Sequence, residues 1–336
     1  MFSIRRIKSH LAALLLSMTA VSGEAAFSNV FFFGDSLSDT GNGYTASGGT
    51  FPPSPYQDGR FSDGPLWVEY LASGLGLPAA SDAWLKGGNN FAWAGAYSGA
   101  DGAGGAGTGL LTQVFGQWPL ISGGAADPDA LYVLGIGAND LREAVGANAG
   151  MGADDIAFRN GIADAALGNL SFSLNALIAA GARNLLIPNV PDLGLTPEAA
   201  LGGAAAASTQ VSTYFNAILA DSLETLRNSV FAPSVVELDF FGLLRAVHAD
   251  ALAGGGRFGL VNAVLPCFAP NAPSCDTSLF VDELHPTATL HELAGSLALE
   301  ALGVPEPSVL LLVGLGLVLL GRRWRPGLQA TPTQRC

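Results

Sequence analysis

The chain has 336 residues, of which 49% are hydrophobic and 13% are charged, and its formal net charge is −13. This apolar content is enough to build a sizeable buried core. A surface with so much negative charge repels phosphate backbones and anionic headgroups, which argues against nucleic acids as partners and against electrostatic adhesion to an anionic membrane.

Residues 1–26 have the three-part organisation of a secretory signal peptide. Three basic residues within positions 5–8 are followed by the apolar run Leu11–Val21 and then by small residues. The run is too short to span a bilayer comfortably, which favours a cleaved leader over an uncleaved anchor. We therefore expect an exported protein that is cleaved within Ser22–Ala26.

Between residues 27 and 303, short strands alternate with Ala-rich helices. Strand patterns cover Val30–Phe33, Leu131–Ile136, Asn184–Ile187 and Val235–Leu238, with a weaker candidate at Asn90–Trp93. Helices are predicted around Asp155–Ala180, Ala206–Asn228 and Phe240–Asp250, and from Pro286 to Leu302, with the proline in the first turn. This alternation predicts an α/β domain with a parallel, doubly wound sheet, whose reactive groups lie outside the carboxyl ends of the strands.

The first strand candidate leads directly into Gly34-Asp35-Ser36-Leu37. A serine in this place, two residues after a glycine that allows a sharp turn, is exposed where sites of parallel sheets form. Taken alone the motif is weak, because Gly, Asp and Ser are ordinary turn residues and a plain loop competes with a nucleophile. Asp35 and Asp39 are interpreted as capping residues. The chain has no Gly-x-Ser-x-Gly elbow of the α/β-hydrolase type.

Two further motifs offer hydrogen-bond donors of the kind that stabilise an oxyanion. Gly95, within Asn90–Ala96, has a backbone N–H that a side chain does not shield. Asn139, within Gly135–Asp140, presents its amide just after the second strand candidate. A simple turn is the alternative for each, and Asn139 is the more informative because it stands at a strand end.

Asp282 and His285 are three residues apart in the loop before the last predicted helix. A serine nucleophile needs a base within hydrogen-bond reach, and that base needs a carboxylate to hold its tautomer. The spacing allows Asp282 to hold one ring nitrogen while the other faces Ser36. An N-cap aspartate with a nearby surface histidine is the alternative. His248 and His291 lie in helical stretches and are weaker candidates for the base.

Cys267 and Cys275 bracket a proline-rich loop and are predicted to form a small disulfide, which suits an oxidising compartment. The third cysteine, Cys336, belongs to the C-terminal tail. Neither the cysteines nor the histidines have metal-binding spacing, so no metal is expected.

Residues 304–325 combine Pro305-Glu306-Pro307, the apolar run Val309–Gly321 and an arginine cluster, before a tail at 326–336. An apolar segment followed by arginines is typical of a membrane stop with a cytoplasmic basic flank. The three features resemble the PEP-CTERM sorting signal of Gram-negative bacteria. This resemblance implies an exosortase-type processing enzyme as partner, delivery to the cell envelope or extracellular matrix, and membrane contact only through this segment. A plain anchor and a buried apolar helix stay open as alternatives.

In chain order, the motifs Gly-Asp-Ser-Leu, Asn-Phe-Ala-x-x-Gly-Ala, Gly-x-Asn-Asp and Asp-x-x-His-Pro resemble the GDSL esterases and lipases, or SGNH hydrolases. The resemblance extends over about residues 28–300 and includes Gly59–Pro65 and Val190–Gly194. It departs at Ala94, where many members have a second glycine. It implies a three-layer, flavodoxin-like α/β/α sandwich with about five parallel strands.

The same resemblance assigns a role to each motif residue and implies no cofactor. Ser36 is the expected nucleophile, His285 its base and Asp282 the carboxylate that orients the base. The expected oxyanion hole comprises the N–H groups of Ser36 and Gly95 and the amide of Asn139.

The expected function is thus an exported serine hydrolase, an esterase or lipase whose substrate is a small-molecule, lipid or acylated-glycan ester. A carbohydrate O-deacetylase of matrix polysaccharide would use the same chemistry and stays open. So does a non-catalytic envelope or matrix protein on the same fold, although a pure scaffold would not require every catalytic position to be filled.

Overall fold

The computed structural model describes residues 27–304. The predicted signal peptide and all but the first residue of the predicted sorting signal lie outside this range. Four parallel strands form one sheet in the order β1-β2-β3-β4. They are β1 (Val30–Gly34), β2 (Leu131–Gly135), β3 (Asn184–Pro188) and β4 (Ser234–Leu238). The α/β prediction is confirmed, and these strands agree with the predicted ones to within one residue at each end.

The weaker strand candidate, Asn90–Trp93, forms only an isolated bridge to the free edge of β1. The Phe91 N–H donates to the Phe32 carbonyl at 2.7 Å, so the segment occupies the place of a fifth strand. The Trp93 N–H also donates to the Gly34 carbonyl at 3.1 Å, but the Gly34 N–H donates to the Gln113 side chain at 2.9 Å, so no second bridge to β1 forms. The expectation of about five strands therefore becomes four strands and one bridge.

The helices cover both faces of this sheet, and ten α-helices lie within the described residues. They are α1 (Asn42–Ala46), α2 (Trp67–Gly74), α3 (Leu110–Thr112), α4 (Pro119–Ser122), α5 (Ala138–Ala147), α6 (Ala153–Ala180), α7 (Pro197–Leu201), α8 (Ala205–Arg227), α9 (Phe240–Leu252) and α10 (Ala288–Ala301).

The start predicted for the last helix is wrong. Helix α10 begins at Ala288, after Thr287, and not with Pro286 in its first turn. Pro286 instead forms an antiparallel bridge with Phe280, and its carbonyl accepts a hydrogen bond from Ser62 Oγ at 2.9 Å. The Ala288 N–H at the helix start donates to Asp63 Oδ1 at 2.7 Å. The Gly59–Pro65 motif thus anchors the beginning of α10.

Alternate side chains of the strands point into two separate cores, as expected for a sheet covered on both faces. Phe33 and Leu134 pack with α5, α6 and α8 on one face. Phe32 and Val133 pack with α2 and α10 on the other. The result is a three-layer α/β/α sandwich.

Helix α6 is long and apolar enough, by length and composition, to cross a membrane. In this fold it is a core helix, because Leu167, Leu170 and Leu174 are buried against the sheet.

The crossovers place the carboxyl end of β1 at the point where the chain changes sides of the sheet. The connection from β1 to Asn90 runs through α2 on one face, whereas the later connection to β2 runs through residues 110–122 on the other. Ligand sites of open parallel sheets form at such a switch point. Gly34 fits there because a Cβ at this position would lie 2.6 Å from the Gly135 carbonyl oxygen.

Candidate active site

Ser36 lies in a tight turn directly after β1 and is 6% exposed. The N–H groups of Ser38 and Asp39 both donate to the Asp35 carbonyl at 3.0 Å, which closes the turn around the serine. The last residue of β1 is fixed by one amide, because Gln113 accepts from the Gly34 N–H at 2.9 Å and donates to the Gly34 carbonyl at 2.8 Å. The position of Ser36 therefore follows from the end of the strand.

Asp282 and His285 share a short loop between Phe280 and Pro286. The loop is closed by the Val281 N–H, which donates to the His285 carbonyl at 2.8 Å. One carboxylate oxygen of Asp282 accepts from the N–H groups of Leu284 and His285, at 2.8 and 2.6 Å. Asp282 thus closes a turn of its own loop and is not the predicted alternative, an N-cap of the last helix, because Thr287 holds that position. Its second oxygen is directed elsewhere.

That second oxygen, Oδ2, lies 2.7 Å from His285 Nδ1, and His285 Nε2 lies 2.9 Å from Ser36 Oγ. The structure therefore brings together the three predicted residues in one continuous chain of contacts. Burial opposes ionisation of Asp282, but its hydrogen bonds and the proximity of His285 outweigh burial and hold the pKa of the carboxyl well below its usual range. An ionised Asp282 keeps the ring proton on Nδ1 and leaves Nε2 free to accept from the serine.

Aromatic side chains from a distant segment hold this pair in place. The Tyr56 hydroxyl donates to Asp282 Oδ2 at 2.5 Å, and burial together with this bond raises the pKa of Tyr56, so the hydroxyl keeps its proton. The Phe61 ring packs on the His285 ring with centroids 4.8 Å apart. Tyr56 lies outside the motifs, and Phe61 lies within Gly59–Pro65, to which the sequence assigned no role, so sequence reasoning missed both contacts.

Gly95 lies in the turn that follows the bridge at Asn90. Its φ of 75° is a left-handed conformation that favours glycine. Asp39 fixes the turn by accepting from the Ala94 N–H at 2.9 Å and also caps α1, as its predicted capping role requires. Ala94 does not have a positive φ, so the departure from a second glycine is tolerated.

Asn139 is the second residue of α5 and is held by both ends of its amide. Its Nδ2 donates to the Ala96 carbonyl at 3.0 Å, and its Oδ1 accepts from Arg142 at 3.0 Å. The second N–H of the Asn139 amide takes part in neither contact. Within residues 27–304 the backbone N–H groups of Ser36 and Gly95 also have no hydrogen-bond acceptor.

Arg142 connects Asn139 to the acid–histidine loop. Its guanidinium also donates to both carboxylate oxygens of Glu198, at 2.8 and 2.6 Å. The Glu198 N–H in turn donates to the Glu283 carbonyl at 2.7 Å. Paired, bidentate contacts of this kind impose geometry as well as attraction. This cross-link, from Asn139 through Arg142 and Glu198 to Glu283, was not predicted from the sequence.

A cleft opens at Ser36 and His285. Asn139 and Arg142 lie on its wall, but most of the wall is apolar. The apolar lining residues are Leu37, Trp67, Ala138, Pro191, Leu193, Phe240, Leu243, Leu244, Phe280, Leu284, Pro286, Leu290 and Ala294. A cleft with a mostly apolar wall beside a reactive serine accommodates an ester that carries an apolar chain.

A disulfide joins Cys267 and Cys275 in the loop beside the site. The N–H groups of Cys267 and Phe268 donate to the carbonyls of Phe280 and Val281, each at 2.9 Å, so the loop lies along the segment that leads into Asp282. Elsewhere in the described range, no group of three or more His, Cys, Asp or Glu side chains is arranged to hold a metal ion.

The family described as GDSL-like Lipase/Acylhydrolase matches residues 30–298. The chain is 29% identical over 331 residues to a phosphatidylcholine-sterol acyltransferase from Aeromonas hydrophila, covering 84% of this chain and 92% of that protein. It is also 29% identical over 356 residues to esterase EstA from Pseudomonas aeruginosa, covering 91% of this chain and 52% of that protein.

Similar solved structures include a member of the lipolytic G-D-S-L family from Veillonella parvula, with a TM-score of 0.41 and 15% identity, covering 81% of this chain and 96% of that one. The carbohydrate acetylesterase Est24 from Sinorhizobium meliloti has a TM-score of 0.41 and 14% identity, covering 82% of this chain and 99% of that one.

Proposed function

Because the chain belongs to the GDSL-like lipase/acylhydrolase family and is therefore an ester-acting hydrolase, we propose that it cleaves carboxylic esters through an acyl-enzyme on Ser36. The observation that carries this proposal is the continuous series of contacts from Ser36 Oγ through His285 to Asp282, at 2.9 and 2.7 Å. A serine hydroxyl becomes a useful nucleophile only with such a base in reach.

In the proposed mechanism, Ser36 Oγ attacks the ester carbonyl carbon while its proton passes to His285 Nε2. The N–H groups of Ser36 and Gly95 and the free amide N–H of Asn139 stabilise the oxyanion. The tetrahedral intermediate collapses, and His285 gives its proton to the departing alcohol. Water then repeats both steps on the acyl-enzyme, which releases the acid and restores Ser36.

The apolar wall of the cleft favours esters with an apolar chain on the acyl or alcohol side. An acetylated glycan would leave most of that wall uncovered, so the O-deacetylase alternative is less well supported. A non-catalytic matrix role is also disfavoured, because it gives no reason for Tyr56 to hold Asp282 and for Phe61 to pack on His285.

Substitution of the nucleophile and the base tests the mechanism. Ser36→Ala and His285→Ala should each lower kcat for a p-nitrophenyl ester by about 10⁴-fold or more. Asp282→Ala should be roughly 10- to 100-fold less severe, because Asp282 orients the base and does not touch the substrate. His248→Ala, a change of the same residue type in α9, serves as the control and should retain activity.

Covalent labelling separates the enzyme from the non-catalytic alternative. A fluorophosphonate should label the full chain at Ser36 and should fail to label the Ser36→Ala variant. Ordinary turnover by purified Ser36→Ala, or labelling that survives the substitution, would refute the acyl-enzyme proposal.

Export and sorting form the second part of the proposal. The basic, apolar and small-residue order of residues 1–26 supports a cleaved signal peptide, and the Cys267–Cys275 disulfide suits an oxidising compartment. The sequence of residues 304–325 supports exosortase-type processing at the cell envelope. Intact mass and cell fractionation test both cleavages, and a cytoplasmic chain with both ends intact would rule them out.

A further inference from the structure

His291 is a second histidine at the site, and the proposed mechanism does not use it. It lies in α10, is 3% exposed and lines the same cleft as Ser36 and His285. Its Nδ1 accepts from the Trp67 N–H at 3.3 Å. Its Nε2 is buried and has no hydrogen-bond partner among residues 27–304. Buried polar atoms almost always have a partner, so this one requires an explanation.

The hydrogen-bond pattern determines the state of the ring. Because Nδ1 accepts from a backbone N–H, the ring proton belongs on Nε2, which is therefore a donor. Burial lowers the pKa of His291 to about 3, so the ring is neutral at physiological pH. The unpaired group is accordingly a neutral N–H donor, which is suited to an uncharged acceptor.

The other cleft-lining residues of α2 and α10 are apolar. Trp67, Leu290 and Ala294 line the cleft with His291 and offer no side-chain acceptor to it. A substrate that fills the cleft with hydrocarbon alone would leave the Nε2–H of His291 unpaired. A substrate with a suitably placed oxygen would accept a hydrogen bond from it. A single donor on an apolar part of the wall discriminates between two such ligands.

We propose that the Nε2–H of His291 is a specificity determinant that donates a hydrogen bond to an uncharged oxygen in the chain occupying the cleft. The preferred substrates are then esters that contain a second neutral acceptor, such as an ether, hydroxyl or carbonyl oxygen, beyond the scissile ester. This inference rests on the proposed function, since it concerns the substrate of the same site.

Esters matched in length test the proposal. The acyl set comprises p-nitrophenyl hexanoate and analogues in which an ether oxygen replaces one chain CH₂ at a time. The alcohol set comprises hexyl acetate and its analogues with the same replacements. For each ester, kcat/KM is divided by the rate constant of hydroxide-catalysed hydrolysis, which removes the electronic effect of the oxygen. The two sets distinguish an oxygen in the acyl chain from one in the alcohol.

We expect the wild-type protein to favour one ether position over the hydrocarbon in at least one set. His291→Leu should reduce that preference roughly 3- to 10-fold, the range expected for one neutral hydrogen bond. His291→Gln should restore part of it, because its amide N–H reaches the place of Nε2. Leu290→Met, a control at the neighbouring cleft position, should alter both members of a pair by the same factor.

If a variant fails to fold, the wild-type protein alone tests the proposal, through the ratio of normalised kcat/KM between each ether ester and its hydrocarbon counterpart. A normalised ratio no greater than one at every position in both sets overturns the proposal, as does an unchanged preference in folded His291→Leu. These results leave the Ser36 mechanism intact. Failure of that mechanism would appear separately, as hydrolysis that survives Ser36→Ala.

Discussion

The carboxyl group of Asp35 lies one residue before Ser36 and is 4% exposed. Its side chain accepts one hydrogen bond, from the Leu37 N–H at 3.0 Å, and it has no ion-pair partner in the described chain. Burial is the main cause that raises its pKa from 3.8 to about 6. The folded protein therefore holds a proton on Asp35 that the unfolded chain has already lost between these two values.

Replacement of this carboxyl should flatten part of the pH dependence of stability. Because the pKa of Asp35 is raised, its contribution to the free energy of unfolding falls as pH rises from about 4 to above 6. In this range the unfolded chain binds fewer protons than the folded protein. Asp35→Asn keeps the acceptor for Leu37 but cannot ionise. Its free energy of unfolding relative to wild type should rise across this window by on the order of 1–3 kcal/mol. Urea unfolding at several pH values measures the difference, and a constant difference would contradict the assignment.

Residues that lie in motifs could be identified from sequence, and residues that reach the site from elsewhere could not. Ser36 stands at a strand end, and Asp282 and His285 are three apart, so their spacing already indicates the chemistry. Tyr56 and Arg142 acquire their roles only through contacts with Asp282 and Glu198, which are distant in the chain. The spacing of residues in the sequence does not reveal such contacts. Their residue types carry no signal in isolation.

The cross-link between α5, α7 and the acid–histidine loop should matter for catalysis more than for substrate binding. Arg142→Met removes the contact that holds Asn139 Oδ1, so the amide proposed as an oxyanion donor should lose its orientation. We expect kcat for a p-nitrophenyl ester to fall roughly 10-fold, part of the full loss of one oxyanion donor, with a smaller change in KM. Arg257→Met changes an arginine outside the site and should leave kcat unaltered.

Two further measurements separate positioning from a general loss of stability. Glu198→Gln keeps an acceptor for Arg142 and should retain more activity than Arg142→Met. Thermal unfolding should show that both variants are folded at the assay temperature. An Arg142→Met protein with wild-type kcat would mean that Ala96 alone orients the Asn139 amide.

Elements with strong periodicity could be predicted, and those that begin inside functional motifs could not. The four strands and helices α6, α8 and α9 follow from apolar runs and Ala-rich stretches. Helix α5 was not predicted, because it begins within Gly135–Asp140, where glycines and polar residues favour a turn. Pro286 suits a helix start by propensity. Its carbonyl instead accepts a hydrogen bond from Ser62, and the residue forms a bridge with Phe280. Local sequence does not reveal either contact.

The layered fold gathers every residue of the site within residues 27–304. Phe27 and Val304, at the two ends of this range, both pack against the core formed with α2 and α10. The four strands and the two cores described above lie within this range. The apolar runs Leu11–Val21 and Val309–Gly321 lie outside the described residues.

A chain cut to residues 27–304 should accordingly fold in one cooperative transition and retain the kcat/KM of the full chain for a short p-nitrophenyl ester. The full chain should differ by partitioning into detergent or membranes, because it carries the apolar runs. Matched assays and detergent phase separation of the two proteins measure both properties. Loss of activity in a folded 27–304 protein would show that the terminal segments contribute to the site, and equal partitioning would show that the apolar runs contact no membrane.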